Sequence, residues 1–280
     1  MPRSRSVCAV CVAGLCVSAA RADFTRNIMI TGYWPPTSHM VTRFSDNPEL
    51  NPQGWIGGNW EGRGYNIYSY FPIFIDDGDN NWGQGSGDFE VDYQDTSADW
   101  QRITEQLRPA AILTFSRGGR GSNWEIESHH RLRDPSGWAP DYTDPFRPSL
   151  DMPIYQSLEI GSELSSTLPM EAIRDAVADA GVVDSVFIDW DGTGGNFLSE
   201  FIGLHGVWYN SLNAGHDAQW ENFAAGHVHV GIATPLDSAI EATHITLRTL
   251  TDYLDTVVPS PGGAILAITM GVGVLRRRRA

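Results

Sequence analysis

The sequence predicts an α/β domain, a three-layer α/β/α sandwich with a mostly parallel central sheet and a Gly- and Trp-rich insertion. Three observations predict it. Short, largely apolar runs suited to buried strands recur at 27–31, 110–115 and 183–188, with a further strand at 227–230. Helical spacing of apolar residues falls between them, as in Trp100, Ile103 and Leu107, or Met170, Ile173, Val177 and Ala180. Glycine-rich turns at Gly118-Gly119 and at 191–196 follow strands, where open α/β sheets place their ligands.

The elements follow in order. Asn27 to Thr31 is a strand running into Gly32 and a Pro35-Pro36 turn. From Ser38 to about Asp95 the chain is rich in Gly, Asn, Trp and Tyr, with a strand expected at Tyr68 to Ile75. A helix carrying Trp100, Ile103 and Leu107 is closed by Pro109, and the strand Ala110 to Phe115 follows. The next helix is entered by Pro169 and ended by Gly181, and the strand Val183 to Ile188 comes after it. Phe197 to His205 is expected as a helix and His227 to Val230 as a strand. The last helix starts at Thr234-Pro235, with Asp237 placed for a capping box, and is expected to bury Leu236, Ile240, Leu247, Leu250 and Leu254.

Both ends carry sorting patterns. Arg3 and Arg5, an apolar run from Val7 to Ala20, and Ala20-Arg21-Ala22 have the order of a secretory signal peptide over 1–22; a buried N-terminal helix is the alternative. At the other end, Val258-Pro259-Ser260-Pro261 precedes an uncharged run from Gly262 to Leu275 and the block Arg276 to Arg279. That run is shorter than the ~20 residues of a simple spanning helix. The order resembles a PEP-CTERM sorting signal over 258–280. The resemblance implies transient membrane retention, a sorting transpeptidase at the inner membrane as partner, and a cell-surface or extracellular destination. A plain membrane anchor is the other reading.

The residues between these signals, 23–257, form one domain of generous size. They hold all 34 acidic residues against twelve arginines, with no lysine anywhere, for a net charge of about −22. So acidic a surface argues against nucleic acid as partner. Cys8, Cys11 and Cys16 all lie in the signal peptide, so the exported domain has no disulfide, thiolate metal site or cysteine nucleophile.

Three constellations carry possible chemistry. Between Ser185 and His205, a strand feeds a loop containing Gly192, Gly194 and Gly195, and a helix opens near Phe197 with Ser199 and Glu200 in its first turn. Glycines let a backbone approach a ligand, and helix-start N–H groups can stabilise an oxyanion. Such turns are also common as plain structure. His227-Val228-His229 puts two imidazoles on one strand face, with no third metal ligand of suitable spacing evident nearby. Gly118-Gly119-Arg120 follows a strand and precedes Trp124-Glu125-Ile126-Glu127, His129 and His130; solvated loop charge is the simplest reading of either Glu.

The order of these segments resembles the pyroglutamyl peptidase family. Thr31-Gly32-Tyr33-Trp34-Pro35-Pro36 looks like its N-terminal turn, and Ser116-Arg117-Gly118-Gly119-Arg120 like its Gly-Gly-Arg turn. Ser166-Thr167-Leu168-Pro169 with the helix, strand and glycine loop after it resembles the catalytic half, and Gly226-His227-Val228-His229-Val230 the strand of the catalytic His. The resemblance covers most of 27–256, with an insertion at about 45–95. It implies a Cys–His–Glu triad in relatives. By position the His maps onto His229, the Glu onto Glu127 (alternatively Glu125), and the Cys onto Ser199. It implies an oxyanion or turn role for Gly118, Gly119 and Gly195. Tyr33, Pro36 and Ser116 map onto substrate-pocket positions but depart from the family's residues, which puts pyroglutamate specificity in question.

A hydroxyl at a helix N-terminus is not ionised by a dipole worth ~0.3–1 kcal/mol. Ser199 therefore needs His229 to take its proton, with Glu127 orienting the ring. The expected function is a serine-dependent hydrolase of a peptide or small amide, needing no cofactor. The alternative is a catalytically inactive relative acting as a cell-surface or extracellular-matrix binding protein, its Trp- and Tyr-rich insertion, with Trp208 and Asn213, shaping a different mouth. Asp77, Asp79 and Asn81 alternate as in a calcium loop, but Trp82 stands where an EF-hand needs Gly, so the stretch reads as an acidic surface loop rather than a metal site.

Overall fold

The computed structural model describes residues 25–75, 82–192, 194–215 and 220–258. The stretch expected as a signal peptide, the expected sorting tail beyond Val258 and the loop of Asp77, Asp79 and Asn81 lie outside the described residues. No helix among the described residues is long and apolar enough to cross a membrane.

Eight strands and six α-helices are described: β1 (Asn27–Thr31), α1 (Thr37–Val41), β2 (Asn66–Tyr70), α2 (Tyr93–Leu107), β3 (Ala111–Arg117), β4 (Asn123–Glu127), β5 (His129–Arg131), α3 (Pro153–Ser157), β6 (Glu163–Ser165), α4 (Met170–Ala180), β7 (Ser185–Asp189), α5 (Leu198–Asn213), β8 (Ala224–Val230) and α6 (Leu236–Val257). Six strands form one sheet in the order β2-β1-β3-β8-β4-β7, while β5 and β6 pair separately. All neighbours in the large sheet are parallel except β4 and β8. The fold is the expected α/β class, with helices on both faces.

Local chemistry sets the helix limits. Asp92 caps α2 by accepting from the N–H groups of Gln94 and Asp95. Gly181, at φ 62°, ends α4 in the left-handed conformation that a side chain disfavours. The apolar face of α4 buries Ile173 and Val177, and α6 buries Leu247, Leu250 and Leu254. These join Leu113, Phe115, Trp124, Ile126 and Val228 in one core. On the opposite face, α2 and α5 pack Trp100, Ile103, Phe201 and Leu204 against Met29, Ile112 and Ala225. Each large side chain so buried is worth roughly 1.5–3 kcal/mol.

Several expectations are corrected. The strand expected at Tyr68 to Ile75 is β2, at Asn66–Tyr70, ending before Pro72, whose nitrogen cannot donate to a ladder. The helix expected to end at His205 continues to Asn213, because Leu204, Val207 and Trp208 keep its buried face apolar. No side chain caps α6, so Thr234 and Asp237 make no capping box, and Leu236 is exposed at its start. Trp208 is buried in the core rather than at a mouth. Trp124 to Glu127 is a strand, not a loop: Trp124 and Ile126 enter the core while Glu125 and Glu127 project from the other face.

Candidate active site

Strand register assembles the site. Along β3, β8, β4 and β7, one cross-strand row is Ser116, His229, Glu125 and Phe187, and the next is Thr114, His227, Glu127 and Asp189. The two-residue period puts all eight on the face opposite Trp124, Ile126 and Val228. That face is apolar at Ile112 and Ala225 and becomes polar towards the carboxyl ends of β3 and β8. Since β4 runs antiparallel to β8, its two glutamates arrive beside the histidines from the opposite direction.

A cleft of about 290 Å³ opens there, lined by Arg117, Gly118, Gly119, Glu125, Glu127, Asp189, Gly194, Gly195 and His229. His229 Nδ1 lies 2.7 Å from Glu127 Oε1. Glu127 is 1% exposed and His229 8%, so the pair sits in the cleft wall with little solvent around it. Against a carboxylate oxygen, Nδ1 carries a proton and donates it to Glu127, which leaves Nε2 as the nitrogen facing away from the pair. Glu127 reaches His229 diagonally across the strand pair, whereas Glu125 is its direct partner in register. Burial raises the Glu125 pKa above the usual carboxylate value, opposed by His229 and reinforced by Glu127 and Asp189.

The turn and loop close over this row. Gly118 donates to Val230 O at 2.7 Å, and a Cβ there would fall 2.9 Å from His229 Cβ, so only glycine lets the turn lie against the imidazole. The 189–197 loop is held at both ends. Asp189 Oδ1 accepts from the N–H groups of Asp191 (3.1 Å) and Gly192 (2.7 Å). Arg133 Nε donates to Gly195 O at 3.0 Å, and Phe197 stacks on Trp34 with ring centroids 6.0 Å apart.

Behind the cleft lies a buried polar layer. Thr114 donates its hydroxyl proton to Gly226 O, which leaves its oxygen to accept from His227 Nδ1–H at 2.8 Å. Ser116 then donates to His227 Nε2 at 2.9 Å. Burial, with His229 and His130 nearby, holds the His227 pKa well below its ordinary value, so this ring is neutral. His130 Nδ1 meets Glu200 Oε2 at 2.7 Å, and Glu200 Oε1 accepts from Arg131 N at 2.7 Å. Both side chains are fully buried.

The residues singled out in the sequence divide accordingly. His229, Glu127 and Glu125 come together with Gly118, Gly119 and Gly195 in one cleft. Beside the histidine strand, Glu125 and Glu127 bring carboxylate oxygens within 4.8 Å of a His229 ring nitrogen. Ser199 is the second residue of α5 and half-buried. No hydrogen bond joins it to His229 among the described residues. The Gly194 backbone stands at that place: a Cβ on it would be 3.2 Å from His229 Cε1 and 3.0 Å from Glu200 Oε2.

Tyr33, Pro36 and Ser116 do not line the cleft. Tyr33 is fully buried with its hydroxyl against Thr96, and Ser116 is committed to His227. Pro36 lines a neighbouring groove with Pro35, His39 and Trp82 that shares only Arg117 with the cleft. Asp189 was not anticipated as a site residue. Its position as the last residue of a strand before a glycine loop is the signal that could have marked it.

No protein-family model matches the chain, and no curated protein matches it. Solved structures do match. The pyrrolidone carboxyl peptidase from Thermococcus litoralis aligns over 85% of this chain and 100% of its own, with a TM-score of 0.57 and 17% identity. A variant of the enzyme from the hyperthermophile Pyrococcus furiosus aligns over 81% of this chain and 99% of its own, at a TM-score of 0.56 and 14% identity. The class defined is therefore an α/β domain with helices on both sides of a mostly parallel sheet. More particularly, it has a pyroglutamyl peptidase-like fold, one that hydrolases share.

Proposed function

We propose that this chain is a serine-dependent hydrolase of peptide or small amide bonds, built on the pyroglutamyl peptidase-like fold and exported from the cell. The observation that carries the reading is the His229–Glu127 pair at 2.7 Å in the wall of a glycine-lined cleft. In the reaction, His229 Nε2 takes the Ser199 hydroxyl proton as Oγ attacks the substrate carbonyl. Glu127 holds the ring in the Nδ1–H form and stabilises the imidazolium. The tetrahedral oxyanion is stabilised by backbone N–H groups of the Gly118-Gly119 turn or the start of α5. His229 then returns the proton to the leaving amine, and water, deprotonated by the same ring, cleaves the acyl–Ser199 ester.

Because Gly194 lies between the ring and α5, the proposed attack requires the 191–197 loop to shift and admit Ser199. Catalytic contacts commonly tighten only when substrate binds. Pyroglutamate itself is not the favoured acyl group, since Tyr33, Pro36 and Ser116 all lie outside the cleft. Export rests on the two terminal patterns, with a membrane transpeptidase as the processing partner.

The second reading, a catalytically inactive binding relative at the cell surface, is favoured by the lack of a Ser199–His229 hydrogen bond among the described residues. Initial rates on a panel of aminoacyl and pyroglutamyl amides separate the two. The hydrolase reading expects turnover that Ser199→Ala and His229→Ala both abolish. Equal rates for all three proteins would remove it.

A further inference from the structure

The cleft has more carboxylate than an acyl-transfer site needs. Glu125, Glu127 and Asp189 all line it, and a triad uses one. The arginine in the lining does not offset them: the Arg117 guanidinium lies over the Trp34 ring, 5.5 Å from its centroid, and makes no ion pair with any of the three. A second observation is independent of this charge count. Glu127 uses Oε1 on His229, but Oε2 is buried and has no hydrogen-bond partner among the described residues, in a side chain 2% exposed. An orphaned carboxylate oxygen in a cleft wall costs stability unless something fills its valence.

We infer that Glu125, Glu127 and His229 form a divalent metal site, selective for a borderline ion of the zinc class. One ligand atom from each lies within 4.8 Å of the others. Ligands at ~2.0–2.2 Å from a shared ion stand at most about 4.4 Å apart, so the three groups draw together and the ion takes the place of the Nδ1 proton in the hydrogen bond to Glu127. One imidazole nitrogen with two carboxylates suits zinc or a neighbouring transition ion better than calcium or magnesium, which take all-oxygen shells. Strand pairing holds the ligands: Glu125 and Glu127 alternate on β4, and His229 is opposite on β8. Asp189 lies in register with Glu127 and stands ready as a further carboxylate or as an acceptor for a metal-bound water.

The inference does not rest on the hydrolase reading, because it is tested without substrate. It adds a regulatory consequence, since an ion bound at His229 and Glu127 removes the base from the proposed triad. The test is calorimetric titration of Zn²⁺ into the chelator-treated protein near neutral pH, beside Glu125→Gln and a remote control, Asp252→Asn. The site predicts one saturable zinc per chain, an affinity at least about tenfold weaker in Glu125→Gln, and no change in the control. Thermal melts guard against misfolding. Zinc raises the midpoint of the wild type, while Glu125→Gln melts near the metal-free wild type and responds little. Equal zinc affinity in wild type and Glu125→Gln, absence of saturable binding, or displacement of zinc by equimolar Ca²⁺ would each overturn the inference.

Discussion

Two histidine–glutamate pairs flank His227 on the α5 side of the sheet, and both close at 2.7 Å. His229–Glu127 joins β8 to β4 and opens on the cleft, with the His side chain 10% exposed. His130–Glu200 joins β5 to α5 and is 0% exposed at both residues. Identical chemistry therefore sits in two settings. In the sealed pair Glu200 uses both oxygens, on His130 and on the Arg131 amide. In the open pair Glu127 leaves one oxygen unmatched. The carboxylate of the sealed pair is fully matched although His130 Nε2 is not, whereas the open pair leaves a carboxylate oxygen unmatched beside a cleft, where a ligand or reacting group fits.

The comparison can be broken by experiment, and the largest expected effect lies at the open pair. His229→Ala should lower amide hydrolysis about 10³–10⁴-fold, roughly 4–5.5 kcal/mol of transition-state stabilisation, with some loss of stability as well because Glu127 is left buried without its partner. His130→Ala should act on stability alone. It strands a buried Glu200 oxygen and should cost about 3 kcal/mol in a urea melt, with kcat per folded molecule largely retained. If His130→Ala removed activity without loss of stability, the sealed pair would have to be counted as part of the site.

Acid sharpens the contrast next. His205, on the same helix as Glu200, donates Nδ1–H to Phe201 O, and burial pushes its pKa down to about 4. Its folded-state pKa lies below the unfolded value of 6.5. The unfolded chain therefore takes up the proton first, and this stabilisation, complete above 6.5, is lost as pH falls towards 4. The full loss is on the order of 3 kcal/mol. Urea midpoints at pH 7 and pH 5 should fall less in His205→Phe than in the wild type; equal losses would place the acid sensitivity elsewhere. The smallest expected effect is at Gly203, where a Cβ would stand 2.4 Å from His130 Cε1. Gly203→Ala should overpack the sealed pair by about 1–2 kcal/mol and leave the open pair working.

Much of the scaffold was legible because punctuation and period agreed. Asn27 to Thr31 is β1 to the residue, and Pro169 and Gly181 bracket α4. His229 and Glu127 were placed by order of motifs along the chain, and the fold sets them in contact. The elements that misled did so for physical reasons. Trp-Glu-Ile-Glu has the two-residue alternation of a strand, but its glutamates read as solvent-facing. Nothing local shows that the α5 layer and the 189–197 loop cover them. The carboxylates beside His229 were hidden for the same reason, since the antiparallel pairing of β4 with β8 is a long-range event. Tyr33 and Ser116, expected at the substrate pocket, are taken up by Thr96 and His227, partners distant in sequence.

The central claim is that the open pair activates Ser199, and covalent labelling tests it most directly. Intact-mass measurement after treatment with a small fluorophosphonate should show one phosphonyl adduct on the wild type, mapped to Ser199. The adduct should be absent from Ser199→Ala and strongly slowed in His229→Ala, while His130→Ala still labels. Labelling of the wild type at a rate unchanged by His229→Ala, or no adduct at Ser199 at all, would contradict the account.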